Sequence, residues 1–431
     1  MSMMDRLGCF LGLAVFLALC MPLSASATEL NFRSDTYLQG FQRDTATKSD
    51  AAVVPAYEYF QADIENPGEP GLSFHLYGWG RWDMADNNYF DDTTSGELLY
   101  GYLEYSGKQA HFNARLGRQQ IFEGVANEVI DGLRVSSELG RYFSGSVYGG
   151  LPVSFEDSNG RSGDNIYGAR LANHVSGWYD LGVSYKKVRS DSDTAEETTG
   201  VDLSAYLPYH TTLLGYSTYN LQSHEWGEHS YELHLPLGPV TLRPYFQKFQ
   251  YKDYFSAGTG ANTVNPFSLL AKSGEELTVL GTDLTLPVGD SWTLVGKVKH
   301  YDYEIQDDSS LYYGGQAIWS GQGSSQIGGE LGYMNGNTDE NRYYLVRLYT
   351  YWDQLPENLP IGFVSGDLVY AKYDQDIYGE DHSLFVSFGI GQKFLDDALE
   401  LKLSGDYSKD PYFDKDVRGM LTISYRFSNK M

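Results

Sequence analysis

The sequence predicts an all-β protein: a closed antiparallel transmembrane β-barrel of about 22 strands, with short periplasmic turns, longer extracellular loops and no plug domain. Three observations predict it. An export signal opens the chain. Short segments of alternating polarity then recur to the C-terminus. The connections between them differ in length by parity.

The signal comes first. Arg6 supplies a basic residue, residues 7–23 are nearly all apolar, and Ala25-Ser26-Ala27 is a small-residue cleavage site. Residues 1–27 are therefore expected to be a removed signal peptide, and residues 28–431 a single transmembrane barrel domain. Leu19, ahead of Cys20, is too bulky for a lipoprotein site. Cys9 and Cys20 are the only cysteines, so the mature chain has no thiol to form a disulfide, a cysteine-held zinc site or a thioether haem attachment. No cofactor is expected. No other apolar run reaches the roughly 18 residues that a membrane helix needs.

The strands follow. Residues 417–427 alternate without a break. Val417, Gly419, Leu421, Ile423, Tyr425 and Phe427 share one face; Arg418, Met420, Thr422, Ser424 and Arg426 share the other. About eleven residues is what a tilted strand needs to cross a bilayer. The same pattern recurs in Leu72-to-Trp82, Phe112-to-Leu116, Tyr179-to-Lys186, Trp292-to-Lys299, Tyr344-to-Trp352, Leu384-to-Ile390 and Leu399-to-Tyr407. About twenty-two such segments lie between Leu30 and Phe427. The first, from Leu30 to Phe41, alternates poorly and is included because closure needs an even count. The abundant tyrosine and glycine suit interfacial girdles, turns and tight lumenal positions.

The connections carry the most specific signal. One set is short, including 395–397, 354–360, 321–324, 287–290, 236–239, 208–211, 176–177, 139–140 and 106–109. The other is longer or more acidic: 408–416, 374–381, 335–340, 250–273, 189–199, 152–164, 122–130 and 84–96. A barrel in an outer membrane sorts its loops this way; a soluble sandwich has no reason to. Residues 250–273, with Tyr254, Phe255 and Phe267, are long enough either to fold inward as a constriction or to stay outside.

If the apolar face meets lipid, Arg81, Arg115, Arg170, Lys186, Arg243, Lys297, Lys299, Arg347, Lys402, Arg418 and Arg426 line the pore. Fewer acids join them: Glu104, Glu232, Asp367, Glu400 and Asp406. Free rings of Arg and Lys would favour anions; paired with acids, they would only stiffen the wall. The net charge of −26 excludes nucleic acid as an expected partner.

Catalytic and metal sites are not expected. His224, His229 and His234 read as loop residues. Asp91-Asp92 and Asp307-Asp308 lack an EF-hand spacing. No Ser-His-acid group is fixed by spacing. Gly314-Gly315 and Gly328-Gly329 read as bends or bulges.

Four stretches carry a resemblance: Leu72-Ser73-Phe74-His75-Leu76-Tyr77-Gly78-Trp79-Gly80-Arg81, Ala114-Arg115-Leu116-Gly117-Arg118-Gln119, Phe122-Glu123-Gly124-Val125-Ala126-Asn127 with Asp131-Gly132-Leu133, and Glu228-His229-Ser230-Tyr231. Together they resemble porin-like outer-membrane barrels of metal-reducing bacteria, including the barrel subunits of porin–cytochrome conduits. The resemblance implies a passive channel for small hydrophilic solutes or ions, or else a sheath around a multihaem cytochrome. The chain has no Cys-x-x-Cys-His of its own. The expected partners are outer-membrane lipid, the barrel-assembly machinery through the C-terminal strand, and in the second reading a multihaem cytochrome.

Overall fold

A computed structural model describes residues 29–43, 49–66, 71–85, 89–107, 111–153, 163–191, 193–250, 276–356, 358–412 and 415–430. The expected signal peptide and the stretch 251–275 lie outside these residues. The strands are β1 (Glu29–Arg43), β2 (Ala51–Val53), β3 (Pro55–Glu65), β4 (Leu72–Asp83), β5 (Thr94–Gly107), β6 (Phe112–Glu123), β7 (Ala126–Glu138), β8 (Phe143–Pro152), β9 (Asn165–Val175), β10 (Tyr179–Ser190), β11 (Asp193–Leu207) and β12 (Thr211–Asn220). They continue as β13 (Glu225–Leu237), β14 (Val240–Gln250), β15 (Glu276–Val288), β16 (Trp292–Tyr303), β17 (Asp308–Ser320), β18 (Gln326–Asn335), β19 (Tyr343–Trp352), β20 (Phe363–Ile377), β21 (Glu380–Phe394), β22 (Leu399–Lys409) and β23 (Asp416–Lys430).

All pair antiparallel in one sheet, and β1 closes it by pairing with β23 on one side and with β2 and β3 on the other. β2 and β3 are one stave interrupted at Val54, so the closed barrel has twenty-two staves. Closure leaves no free sheet edge at that seam, which is why a sheet can stand in hydrocarbon. Among the described residues no separate domain fills the bore, and no helix is long and apolar enough to cross a membrane.

Register sorts the side chains. Leu38, Leu421 and Leu403 sit side by side on the outer face, as do Leu284, Gly296, Gly315 and Leu331 further round. Outer-face residues such as Leu331, Leu348, Phe388 and Leu403 are more than half exposed in the isolated chain. An apolar belt of this kind, around a sheet with a polar interior, is the surface of a bacterial outer-membrane barrel. Glu29 pairs with Lys430, so the first and last described strands begin and end at the short-turn end of the barrel, the periplasmic one.

The poor alternation of β1 has a physical source. Ser34 and Thr36 point outward, where lipid-facing residues are expected, and both donate to the outward carboxylate of Glu58 at 2.5 Å. Tyr37 and Phe41 point inward, where polar residues are expected.

Three of the expected loops are not loops. Residues 122–130, 189–199 and 374–381 are tight hairpins: β6 turns into β7 at Gly124-Val125, β10 runs to Ser190 and β11 starts at Asp193, and β20 meets β21 at Tyr378-Gly379. Their acidic composition suggested loops, but strand pairing satisfies the backbone of all three hairpins. His229 and His234 are likewise strand residues of β13 rather than loop residues. Gly314, Gly315, Gly328 and Gly329 sit in unbroken register, not at bulges. Two of these strand glycines, and Gly332 beside them, leave slots for rings: Tyr349 lies over Gly328, and Tyr312 over Gly314 and Gly332.

Candidate functional site: a bore narrowed by an infolded hairpin

Register places all eleven expected cations on the inner face of the sheet. Most are not free. Arg115 pairs with Glu104 at 2.8 Å, Arg170 with Asp202 at 2.5 Å and Asp180 at 2.8 Å, and Arg243 with Asp283 at 2.5 Å. Lys297 pairs with Glu330 at 3.1 Å, Arg347 with Asp367 at 2.5 Å, and Arg418 with Asp416 at 2.6 Å. Arg81 lies over the Phe90 ring at 3.8 Å and donates to the Asp92 carbonyl at 3.0 Å. Among the described residues, only Lys299, Lys402 and Arg426 of the eleven have neither an ion pair nor a side-chain hydrogen bond. Sequence reading had credited the wall with too few acids. Asp202, Asp283 and Glu330 are strand residues on the inner face, and each answers a cation.

Lys186 does not border the open bore at all. Its side chain is 7% exposed and holds Glu128 at 2.8 Å and Glu196 at 2.7 Å. What covers it is the β6–β7 hairpin. β5 pairs with β6 only from Gly107↔Phe112 to Gly101↔Arg118. Beyond Arg118 the hairpin leaves the wall and folds into the barrel.

Glycine makes the bend possible. Tyr102, Gly117, Gly132 and Gly150 stand in one row across four strands. Gly117 has φ +130, which an L side chain rarely adopts. A Cβ on Gly132 would overlap the Gly149 carbonyl, and one on Gly117 the Gly101 carbonyl. Arg118 braces the corner with two bonds to the Asp131 carboxylate, both at 2.8 Å, and gives a third to the Leu98 carbonyl at 3.0 Å.

The folded tip lies against the wall. Val125 N donates to Ser184 Oγ at 3.0 Å, and Val125 packs on Gly200. Behind it Ile121, Ala126 and Ile130 of the hairpin meet Tyr148, Ile166 and Val188 of β8, β9 and β10, an apolar cluster in which both hairpin isoleucines are fully buried. Glu123 takes hydrogen bonds from Arg134 and Ser146 beneath it. The opposite face of the hairpin then looks into the bore. Gln120 bonds to Asn127 there at 3.1 Å, and Phe122 is 79% exposed. By strand parity Phe122 would face lipid; the fold turns it to water.

A signal for the hairpin was present in the sequence. Ile121 and Ile130 are apolar on the inner parity, where a simple barrel carries polar groups, and glycines flank them at matched positions. The proposed constriction at 250–273 lies outside the described residues from 251 onward.

Two further features were weighed. Among the described residues no cluster of His, Cys, Asp or Glu could hold a metal ion. On the outer face, Ser217 Oγ lies 2.8 Å from Nδ1 of His229 and 2.6 Å from the Tyr231 hydroxyl, a pair that spacing alone did not reveal. Among the described residues no carboxylate bonds the His229 ring, and Ser217 is buried, so the group lacks the third member and the access of a hydrolytic triad.

The chain matches no protein-family profile and no curated protein. Distant likenesses appear among solved structures. OccAB4 of Acinetobacter baumannii is 9% identical over 95% of this chain and 100% of that one, with a TM-score of 0.47. A BenF-like porin of Pseudomonas fluorescens Pf-5 is 11% identical over 94% and 100%, at 0.44. The siderophore receptor PirA of Pseudomonas aeruginosa is 13% identical over 91% and 80%, at 0.49. At this identity and overlap none of them lends this chain a solute. Its own closed sheet, belted with apolar side chains around a polar bore, makes it a transmembrane β-barrel of the bacterial outer membrane.

Proposed function

We propose that the chain is a passive channel for small hydrophilic solutes or ions, with the β6–β7 hairpin as its constriction. The observation that supports this is the hairpin itself. A barrel of 22 strands at ordinary spacing and tilt is roughly 40 Å across between backbones. Without a plug, such a bore needs an internal device to exclude larger molecules. The hairpin adds a second layer, about 10 Å thick by ordinary sheet packing, against β8 to β11.

Because Arg115, Arg170, Arg243, Lys297, Arg347 and Arg418 are matched by carboxylates, the wall presents mostly paired charge. The channel is therefore weakly selective between small cations and anions, with Arg81, Lys299, Lys402 and Arg426 among its positive groups that have no ion pair among the described residues. The sheath reading is not favoured, since the folded hairpin occupies bore that a threaded multihaem cytochrome would require.

Reconstitution in planar bilayers tests the proposal. Stable single-channel conductance, with a reversal potential near zero in a tenfold KCl gradient, is the expected result. No conductance from well-folded protein would overturn it.

A further inference from the structure

The inner face of β1, β3, β4 and β5 is unlike the rest of the wall. Tyr37, Tyr57, Tyr59, Tyr77, Trp79, Tyr100, Tyr102 and His75 all project from inner-face positions. Their rings form an unbroken series. Tyr57 lies 6.3 Å from Trp79, Trp79 6.4 Å from Tyr59, and Tyr59 5.7 Å from Tyr37 and 6.4 Å from Tyr77. Tyr77 is 5.4 Å from Tyr100, Tyr100 5.8 Å from Tyr102, and Tyr102 4.9 Å from His75. At the extracellular end Phe41, Tyr89 and Phe90 form a second ring cluster beside Arg81. At the periplasmic end Arg115 lies over Tyr102 at 5.3 Å.

Cross-strand aromatic pairs commonly stabilise a sheet. This lane differs in lying on the wet face. Along Tyr57, Trp79, Tyr59, Tyr77, Tyr100 and Tyr102 the neighbours are tilted by 30–48° at centroid separations of 5.4–6.4 Å, so they do not cover one another's faces. All are half-buried. A hollow of about 520 Å³ opens against Tyr37, Tyr57, Tyr59 and Tyr77, with Gln39 and Gln61 on its wall, a volume within the range of small-molecule sites. Most charges beside the lane are matched by a partner of opposite sign, Arg33 with Asp35 at 2.6 Å, His75 with Asp63 at 2.6 Å and Arg115 with Glu104 at 2.8 Å, while Arg81 at the extracellular end is held by the Phe90 ring and the Asp92 carbonyl.

We propose that this lane binds neutral saccharides, stacking sugar rings on its aromatic faces while tyrosine hydroxyls and the two glutamines hydrogen-bond their hydroxyl groups. Ring faces alone would suit any apolar solute, but the row of phenol hydroxyls and amides would be desolvated without recompense by a hydrocarbon. An organic acid would need a cation facing the hollow without a carboxylate; Arg33, which lines it, and Arg115 are both paired with acids, and Arg81 lies outside it against Phe90 and the Asp92 carbonyl. A polyhydroxylated ring, apolar on its C–H faces and polar on its rim, matches both features. The inference rests on the channel reading for transport, but not for binding.

Purified wild-type protein in detergent is titrated with maltohexaose, following tryptophan fluorescence, with Trp79→Phe as the reporter control. A saturable change that is lost in Trp79→Phe is expected. Weakening of at least about fivefold is expected in Tyr59→Ala/Tyr77→Ala, from the ordinary worth of two aromatic contacts. In bilayers, maltohexaose should interrupt the current of wild type but not of that double variant, while both carry ions. No saturable fluorescence change overturns the lane whatever the conductance. Binding of benzoate in preference to maltohexaose overturns the solute class. Absence of ion current with fluorescence binding intact overturns the channel reading alone.

Discussion

The double substitution Ile121→Ala/Ile130→Ala asks whether the hairpin narrows the bore. Both side chains are fully buried between the hairpin and β8–β10. Truncating a buried isoleucine to alanine costs about 2–5 kcal/mol. Even the lower figure, taken twice, is about 4 kcal/mol, which shifts the ratio of docked to released hairpin by nearly a thousandfold. The released area is estimated from geometry. With side chains lining both walls, the bore is roughly 30 Å wide, or about 700 Å². A layer about 10 Å thick and some three to four strand spacings wide covers about 150–190 Å² of it. Wild type keeps the remaining roughly 510–550 Å², so single-channel conductance should rise by about a quarter to just over a third, with added flicker between two levels, provided the gel mobility of the heat-sensitive folded form is retained. Unchanged conductance and an unchanged number of levels, in protein that remains folded, would refute the constriction.

Four other outcomes follow from the geometry. Phe122→Cys, in a mature chain expected to contain no thiol, should react with a charged water-soluble thiol reagent and lower the current on reaction; protection by the bilayer would place Phe122 at lipid after all. Gly132→Val, which sets side-chain atoms against the Gly149 carbonyl at the hinge, should cut the yield of heat-resistant barrel severalfold, whereas Gly296→Ala, on the outer face of β16 with open space around it, should have a far smaller effect. Ser34→Ala/Thr36→Ala leaves Glu58 without its two donors on the outer face, and should destabilise the protein in urea titrations from lipid by about 1–3 kcal/mol, while adding Glu58→Leu should recover most of that loss. Arg170→Leu frees Asp180 and Asp202 in the bore, so the reversal potential should move toward cation preference, by an amount that shrinks as salt rises.

The strands were legible because lipid outside and water inside impose a period of two, as residues 417–427 show on their own. Loop parity gave the barrel its direction and, through β1, its closure. The hairpin was obscured because a strand that bends off the wall keeps its alternation. Ile121 and Ile130 obey the same period as Arg115 and Arg134, and only their apolar character on the inner side departs from the pattern. Charge pairing was obscured for another reason. Arg170 and Asp202 are two strands apart, and Lys186 meets Glu128 from a segment read as a loop, so neither partnership follows from spacing. The aromatic lane was visible residue by residue in Tyr77, Trp79 and Tyr102, but its continuity depends on register across β1, β3, β4 and β5.

The bend at Gly117 has an effect on β5. Above Gly101, among the described residues, that strand keeps β4 on one side and has no strand on the other, with the Arg118 bond to the Leu98 carbonyl as a single stitch. A closed ladder fixes the girth of a cylinder, because widening it would break hydrogen bonds at every level. Where the ladder is interrupted, that hoop is cut. The extracellular half of this barrel thus lacks, beside β5, the backbone ladder that fixes the circumference of the periplasmic half.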